Sequence, residues 1–350
     1  MAQKQLNLFH FDDLIYDLEY VPLEELRSCV GDIDWVKSHS KKINLMSRDV
    51  IAFFEKQNNL TVERCPQYYC SPYWGEATKN YKWRYMIVGV KERRFLVFLR
   101  LVGIMYDQQY FSLSYEILSS DGNKDKIEDV TKAVCNLPCI KSVETISDKN
   151  NEECVHVNYY CDKKNALSMN KNRRNKYKRS LSLFDYGLRV MLVNNANFED
   201  FEKKAEMLYG TFIKKRFSFN VNSARNMLKM AIDNPNDCYV YGFYINDVLI
   251  GTQMACNDFM NSISVHFAKD ITSFDVESIS EYVGVDRVIA QRIKNFFGTY
   301  EECFLKEKFL VEKEYDAVFV DGYRIENSSS MSIHKNGFYP KKVSYKIIKV

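Results

Sequence analysis

Tyr239-Val-Tyr-Gly-Phe-Tyr-Ile245, the pair Asn246-Asp247, Val248-Leu-Ile-Gly-Thr-Gln-Met-Ala255 and then Asn261-Ser-Ile-Ser-Val-His-Phe-Ala268 decide the fold class. Aromatic and β-branched residues dominate the runs, and the Asn-Asp pair suits the tight turn of a two-residue hairpin. The spacing predicts a hairpin followed by a third strand. Beyond it, Val285, Val288, Ile289, Ile293, Phe296 and Phe297 fall on one face of a helix predicted from about 285 to 297. Ala317-Val-Phe-Val320 reads as the next strand, followed by a helix near 328–336 and a last strand at 343–348.

Upstream, Gly187-Leu-Arg-Val-Met-Leu-Val193 is a strand, and Asn197 is placed to cap a helix reaching Ile213. A second helix from Ser223 to Ile232 stops before Pro235. The stretch 163–179 carries Lys163, Lys164, Lys171, Arg173, Arg174, Lys176, Lys178 and Arg179 with no acidic residue. Asn165, Asn170, Asn172 and Asn175 disfavour early helix, so it reads as a linker running into a basic helix start. It is either a solvated connector or a contact for the phosphates of a nucleic acid or nucleotide, through Arg173, Arg174, Lys176, Lys178 and Arg179.

The first half repeats the theme more loosely. Met86–Val90 and Phe95–Val102 flank a turn at 91–94, Tyr110–Ile117 adds a third strand, and a helix is predicted from about Lys124 to Asn136. Strands near 140–146 and 155–160 complete a β-β-β-α-β-β order. Short helices and an aromatic loop, Tyr68-Tyr-Cys-Ser-Pro-Tyr-Trp74, precede it. The whole is α/β.

Composition narrows the function classes. Of 350 residues, 46% are hydrophobic and 27% charged, which excludes wholesale disorder. A net charge of +3 is too balanced for a chain that binds nucleic acid over its whole surface. No run reaches the roughly 18 apolar residues of a membrane helix, and Met1-Ala-Gln-Lys-Gln-Leu6 lacks an apolar signal core. Ten cysteines include no CxxC pair, so a metal site is not expected and the thiols read as reduced in a cytoplasmic protein.

The element order and the ending Asp316-Ala-Val-Phe-Val-Asp-Gly322 … Ser332-Ile-His-Lys-Asn-Gly-Phe-Tyr-Pro340 resemble the GNAT N-acetyltransferase superfamily, where an x-K-x-G-F-x-P element closes the last helix. Phe243-Tyr-Ile-Asn-Asp-Val-Leu-Ile-Gly251 looks like that superfamily's strand pair a-x-x-d-G-x-x-v-G. The basic entry Arg173-Arg-Asn-Lys-Tyr-Lys-Arg179 is closer to its tandem members, the FemABX-like aminoacyl transferases and lysyl-phosphatidylglycerol-synthase-like acyltransferases. The resemblance covers about residues 170–350. It implies two GNAT-like mixed sheets flanked by helices in tandem. Residues 1–165 would be a divergent domain with a helical N-terminal extension, and 166–350 the acyltransferase domain.

The implied chemistry is transfer of an acyl or aminoacyl group from a carrier, acetyl-CoA or another acyl-CoA or aminoacyl-tRNA, to a primary amine on a small metabolite or a modified nucleic-acid base. The resemblance places two parallel strands at Ser262–Ala268 and Ala317–Val320, which splay and bare main-chain N–H groups to the carbonyl. It places a donor loop at Val283, Gly284, Val285 and Arg287, with Lys335 as a further phosphate contact. Asp321 is the implied proton acceptor, with His334 and His266 as further acid–base residues, and Tyr323, Arg324 and Asn327 line the acceptor side. Two departures stand out: Glu281 and Asp286 put negative charge where a pyrophosphate would dock, and Ile333 occupies the position of a common general-acid Tyr. The alternative is a catalytically inactive module that binds nucleic acid through 163–179.

Overall fold

The computed structural model describes residues 18–61, 71–78, 82–103, 109–146, 154–166, 168–213, 221–259, 261–320 and 338–347. The chain forms two compact units, Met1–Val155 with Lys342–Val350, and His156–Lys341.

In unit 1, short helices α1 (Leu23–Ser28), α2 (Ile33–Ser38), α3 (Arg48–Gln57) and α4 (Pro72–Thr78) accompany a mixed sheet. Its strands are β1 (Val21–Pro22), β2 (Lys41–Lys42), β3 (Trp83–Val90), β4 (Arg93–Gly103), β5 (Gln109–Ser119) and β6 (Ile140–Ile146), with α5 (Ile127–Cys135) linking the last two. The β3–β4 hairpin closes at Val90↔Arg93 around Lys91, whose φ of 55° is the left-handed value such a turn uses. β3, β4 and β5 run antiparallel in series, whereas β5 and β6 are parallel, as a helical crossover requires. Phe95, Val97, Leu99, Phe111, Val130, Val134 and Ile140 are fully buried in one cluster, so the helical stripe expected near Val130 and Val134 is the face that packs.

Unit 2 contains β7 (Cys154–Asp162), the basic helix α6 (Lys171–Ser180), β8 (Arg189–Val193), α7 (Phe198–Met207), α8 (Val221–Asp233), β9 (Cys238–Ile245), β10 (Val248–Phe259) and β11 (Ser262–Asp270). Helices α9 (Val276–Val283) and α10 (Arg287–Leu305) lead to β12 (Ala317–Val320), whereas β13 (Tyr339–Ile347) belongs mostly to unit 1. The unit's strand order is β7-β12-β11-β10-β9-β8. Only β11 and β12 are parallel; the hairpin turns at Asn246 and Asp247, with φ of 50° and 64°, as its sequence predicts.

As expected, the basic stretch leads through 163–170 into a basic helix, whose start Asn170 caps by accepting the Arg173 N–H at 2.9 Å. Three details depart from the sequence reading. The helix expected at 285–297 runs on to Leu305, and α9, capped by Asp275, was not foreseen. The expected strand near 155–160 pairs with β12 rather than β6 (Phe319↔Tyr160), while β13 pairs with β6 (Tyr345↔Glu144). Each unit's sheet is therefore completed by a strand remote in sequence. The α/β architecture of two mixed sheets flanked by helices in tandem is as expected.

Candidate functional site

The parallel strands of unit 2 are paired at Ser262↔Ala317, Ile263↔Val318 and Ser264↔Phe319, and at no later position among the described residues. β12 stays bound to β7 through Val320↔Tyr159, while β11 continues to Asp270. On its other side β11 carries a bulge: Met254 faces Phe267 but Ala255 faces Val265, leaving His266 as the extra residue. A bulge bends its strand and raises the local twist. The bend thus falls just past the last β11–β12 pair among the described residues. His266 itself is buried, 7% exposed.

Strand alternation places Gly251 and Gln253 of β10 on the face covered by α10, opposite Asp270 and Ala268 of β11. Phe243 and Phe297, both fully buried, anchor α10 there with ring centroids 5.5 Å apart. A Cβ on residue 251 would lie 2.9 Å from both Glu301 Oε1 and the Phe297 ring, so the close approach of α10 requires glycine. Burial first, then the neighbouring Asp270 carboxylate, holds the Glu301 carboxyl well above the usual range.

Glu302 turns toward α6. Burial pushes its carboxyl up to about 7 against the opposing pull of Arg173, Lys176 and Lys306. Arg173 Nη1 donates to Thr299 Oγ1 at 3.3 Å, and the Tyr177 hydroxyl donates to Glu307 at 3.1 Å. Burial, then Arg173, lowers the Lys176 ammonium. The basic residues named from the sequence therefore divide: Arg173 and Lys176 face α10, and Arg174, Lys178 and Arg179 are exposed beside Lys171.

At the start of α9, the Ser278 N–H donates to Asp275 at 2.8 Å; at the start of α10, the Ile289 N–H donates to Asp286 at 2.9 Å. Val283 is buried, and Gly284, at φ 69°, ends α9. The N–H groups of Gly284 and Val285 both reach the Ser280 carbonyl, and Arg287 pairs with Glu277 at 2.8 Å. Carboxylates of the chain thus occupy both helix starts, an arrangement that does not fit a pyrophosphate. Asp321, Tyr323, Arg324, Asn327, His334 and Lys335 lie outside the described residues.

Sequence reasoning passed over Gln253, Glu301 and Glu302. The available signal was two adjacent glutamates continuing the apolar stripe of α10 between Phe297 and Leu305. Among the described residues, no cluster of three or more His, Cys, Asp or Glu could hold a metal, and no helix is long and apolar enough to cross a membrane.

No protein-family model and no curated protein matches the sequence. Solved structures do. A conserved protein of unknown function from Bacteroides thetaiotaomicron is 13% identical with a TM-score of 0.52, covering 89% of this chain and 99% of that one. FemX is 8% identical with a TM-score of 0.52, covering 88% of this chain and 97% of that one. L-PGS from Bacillus licheniformis is 10% identical at a TM-score of 0.48, over 89% and 94%. At such identities the likeness concerns the fold: the chain has the GNAT-like fold of FemX.

Proposed function

We propose that unit 2 transfers an acyl or aminoacyl group from an ester or thioester carrier to a primary amine. The observation that carries this reading is the His266 bulge of β11 beside Ser264↔Phe319, the last β11–β12 pair among the described residues. Main-chain N–H groups held in a fixed orientation at such a bend suit the oxyanion of a tetrahedral intermediate and need no reorganisation as charge develops. The amine nitrogen attacks the carbonyl carbon, the C–O or C–S bond breaks, and the leaving oxygen or sulfur takes up the proton lost by nitrogen. Asp321, His266 and His334 are the proposed carriers of that proton, with Tyr323, Arg324 and Asn327 on the acceptor side.

The occupied starts of α9 and α10 favour a donor that does not depend on pyrophosphate docking there, which supports aminoacyl-tRNA over acetyl-CoA. Exposed Lys171, Arg174, Lys178 and Arg179 on α6 would meet its phosphates. The test is transfer of radiolabelled acyl groups from acetyl-CoA and from aminoacyl-tRNA to simple amines. Aminoacyl transfer that falls at least tenfold in a Lys171→Ala, Arg174→Ala, Lys178→Ala variant, and steeply with salt, is the expected result. Salt-sensitive RNA or DNA binding with no transfer from either donor would favour the catalytically inactive module instead.

A further inference from the structure

Among the described residues, the buried atoms around α10 with no hydrogen-bond partner include Gln253 Oε1, Glu301 Oε1 and Glu302 Oε2. Gln253 is 3% exposed and Glu301 5%, while Ala268, directly across from Gln253, is exposed, so the row has an opening. A buried acceptor left unmatched is destabilising, so a ligand that supplies a donor there is favoured. The nearby cations engage Glu302: Arg173 and Lys176 reach it from α6, and Lys306 acts on it from the turn after α10. What remains at Gln253, Asp270 and Glu301 is an amide oxygen and two carboxyl groups, a set rich in acceptors. A protonated amine supplies the matching chemistry, with N–H donors and a positive charge on a small head.

We propose that Gln253, Asp270 and Glu301 form a pocket for a protonated amine that is a second cationic group of the acceptor, distinct from the nitrogen acylated. The inference rests on the transferase reading above. At about 3.3 Å per strand residue, Ala268 and Asp270 lie roughly 10 and 17 Å along β11 from Val265, where the carbonyl would sit. An amine held in the pocket is therefore out of reach of that carbonyl. The acceptor class that satisfies both places is a di- or polyamine whose nitrogens stand about 10 Å or more apart. Its ammonium also stabilises ionised Glu301 beside Asp270, so binding expels the Glu301 proton.

Calorimetric titration of the full chain with diaminooctane, diaminobutane and octylamine tests this. Diaminooctane binds at least tenfold more tightly than either, and Glu301→Gln and Gln253→Met each remove that advantage while octylamine binding is kept. Repeating the titration in two buffers of unlike ionisation enthalpy shows proton release in the parent chain and none in Glu301→Gln. Equal affinity for the diamine and monoamine, or an advantage surviving in a folded Glu301→Gln variant, overturns the pocket. Transfer to octylamine without diamine preference overturns the pocket and leaves the transferase reading standing. Diamine preference lost on Glu301→Gln, with no transfer from any donor, keeps the amine site and removes the transferase reading.

Discussion

The two units build the same local order, antiparallel strands followed by a helical crossover into a parallel partner, and finish it in opposite ways. In unit 1 the register shifts after Phe111↔Ile140, and the following pairs are stitched by side chains. Ser112 Oγ donates to the Ser142 carbonyl at 3.2 Å, Ser142 Oγ meets Ser112 Oγ at 2.8 Å, and Ser114 Oγ donates to Glu144 at 3.1 Å. Arg100 completes the row at 2.9 Å from Glu144. In unit 2 the equivalent strands show three pairs among the described residues, the last of them beside a bulge. On the proposed reading, the side-chain bridges of the first pair serve stability and the bend of the second serves chemistry.

The largest test removes the stitching. Glu144→Ala leaves Arg100 and Ser114 without their acceptor and is expected to cost about 3 kcal/mol in urea unfolding. Transfer activity of the protein that remains folded should be unchanged; a loss of activity in that folded fraction would break the comparison. Next is Gly251→Ala in unit 2, which drives a methyl into Glu301 and Phe297. A loss of about 1–3 kcal/mol is expected, and Gly298→Ala, with nothing within 4 Å of its Cβ, serves as the mild control.

The pH dependence sharpens the same contrast. Burial raises the Glu302 carboxyl to about 7, above the ordinary glutamate value, so the folded chain binds a proton there more tightly than the unfolded chain. Its contribution to stability is greatest below the unfolded value and is lost as pH rises toward 7, at no more than about 1.4 kcal/mol per pH unit. Thermal melts between these limits should slope less in Glu302→Gln; identical slopes would remove Glu302 from the account. The smallest effect belongs to Asp286→Ala, which uncaps α10 and should lower stability by about 1 kcal/mol.

Much of the fold could be read from local sequence because local physics sets it. Asn246-Asp247 has to turn, and the Val130–Val134 stripe has to pack. The pairings that finish the two units could not be read: β7 meets β12 and β13 meets β6 across more than 150 residues of chain, and no periodicity encodes such a choice. The asparagines at 163–179 were weighed as helix breakers, yet Asn170 serves as a cap, a role set by position rather than composition. For the site, Ser262–Ala268 and Ala317–Val320 were legible as the parallel strands, but the bend beside their last described pair depends on a register shift with β10. Glu301 and Glu302 look like ordinary surface charge until α6 and β11 close over them. Their chemistry is a product of tertiary packing.

The central claim concerns β11 beyond Ser264, and a structure of the chain with a non-hydrolysable aminoacyl-ester analogue addresses it most directly. The account predicts the analogue's carbonyl oxygen about 3 Å from a main-chain N–H of β11 near Val265 and His266, between that strand and Phe319. A carbonyl bound elsewhere, with β11 and β12 closed against each other past Ser264, would contradict it.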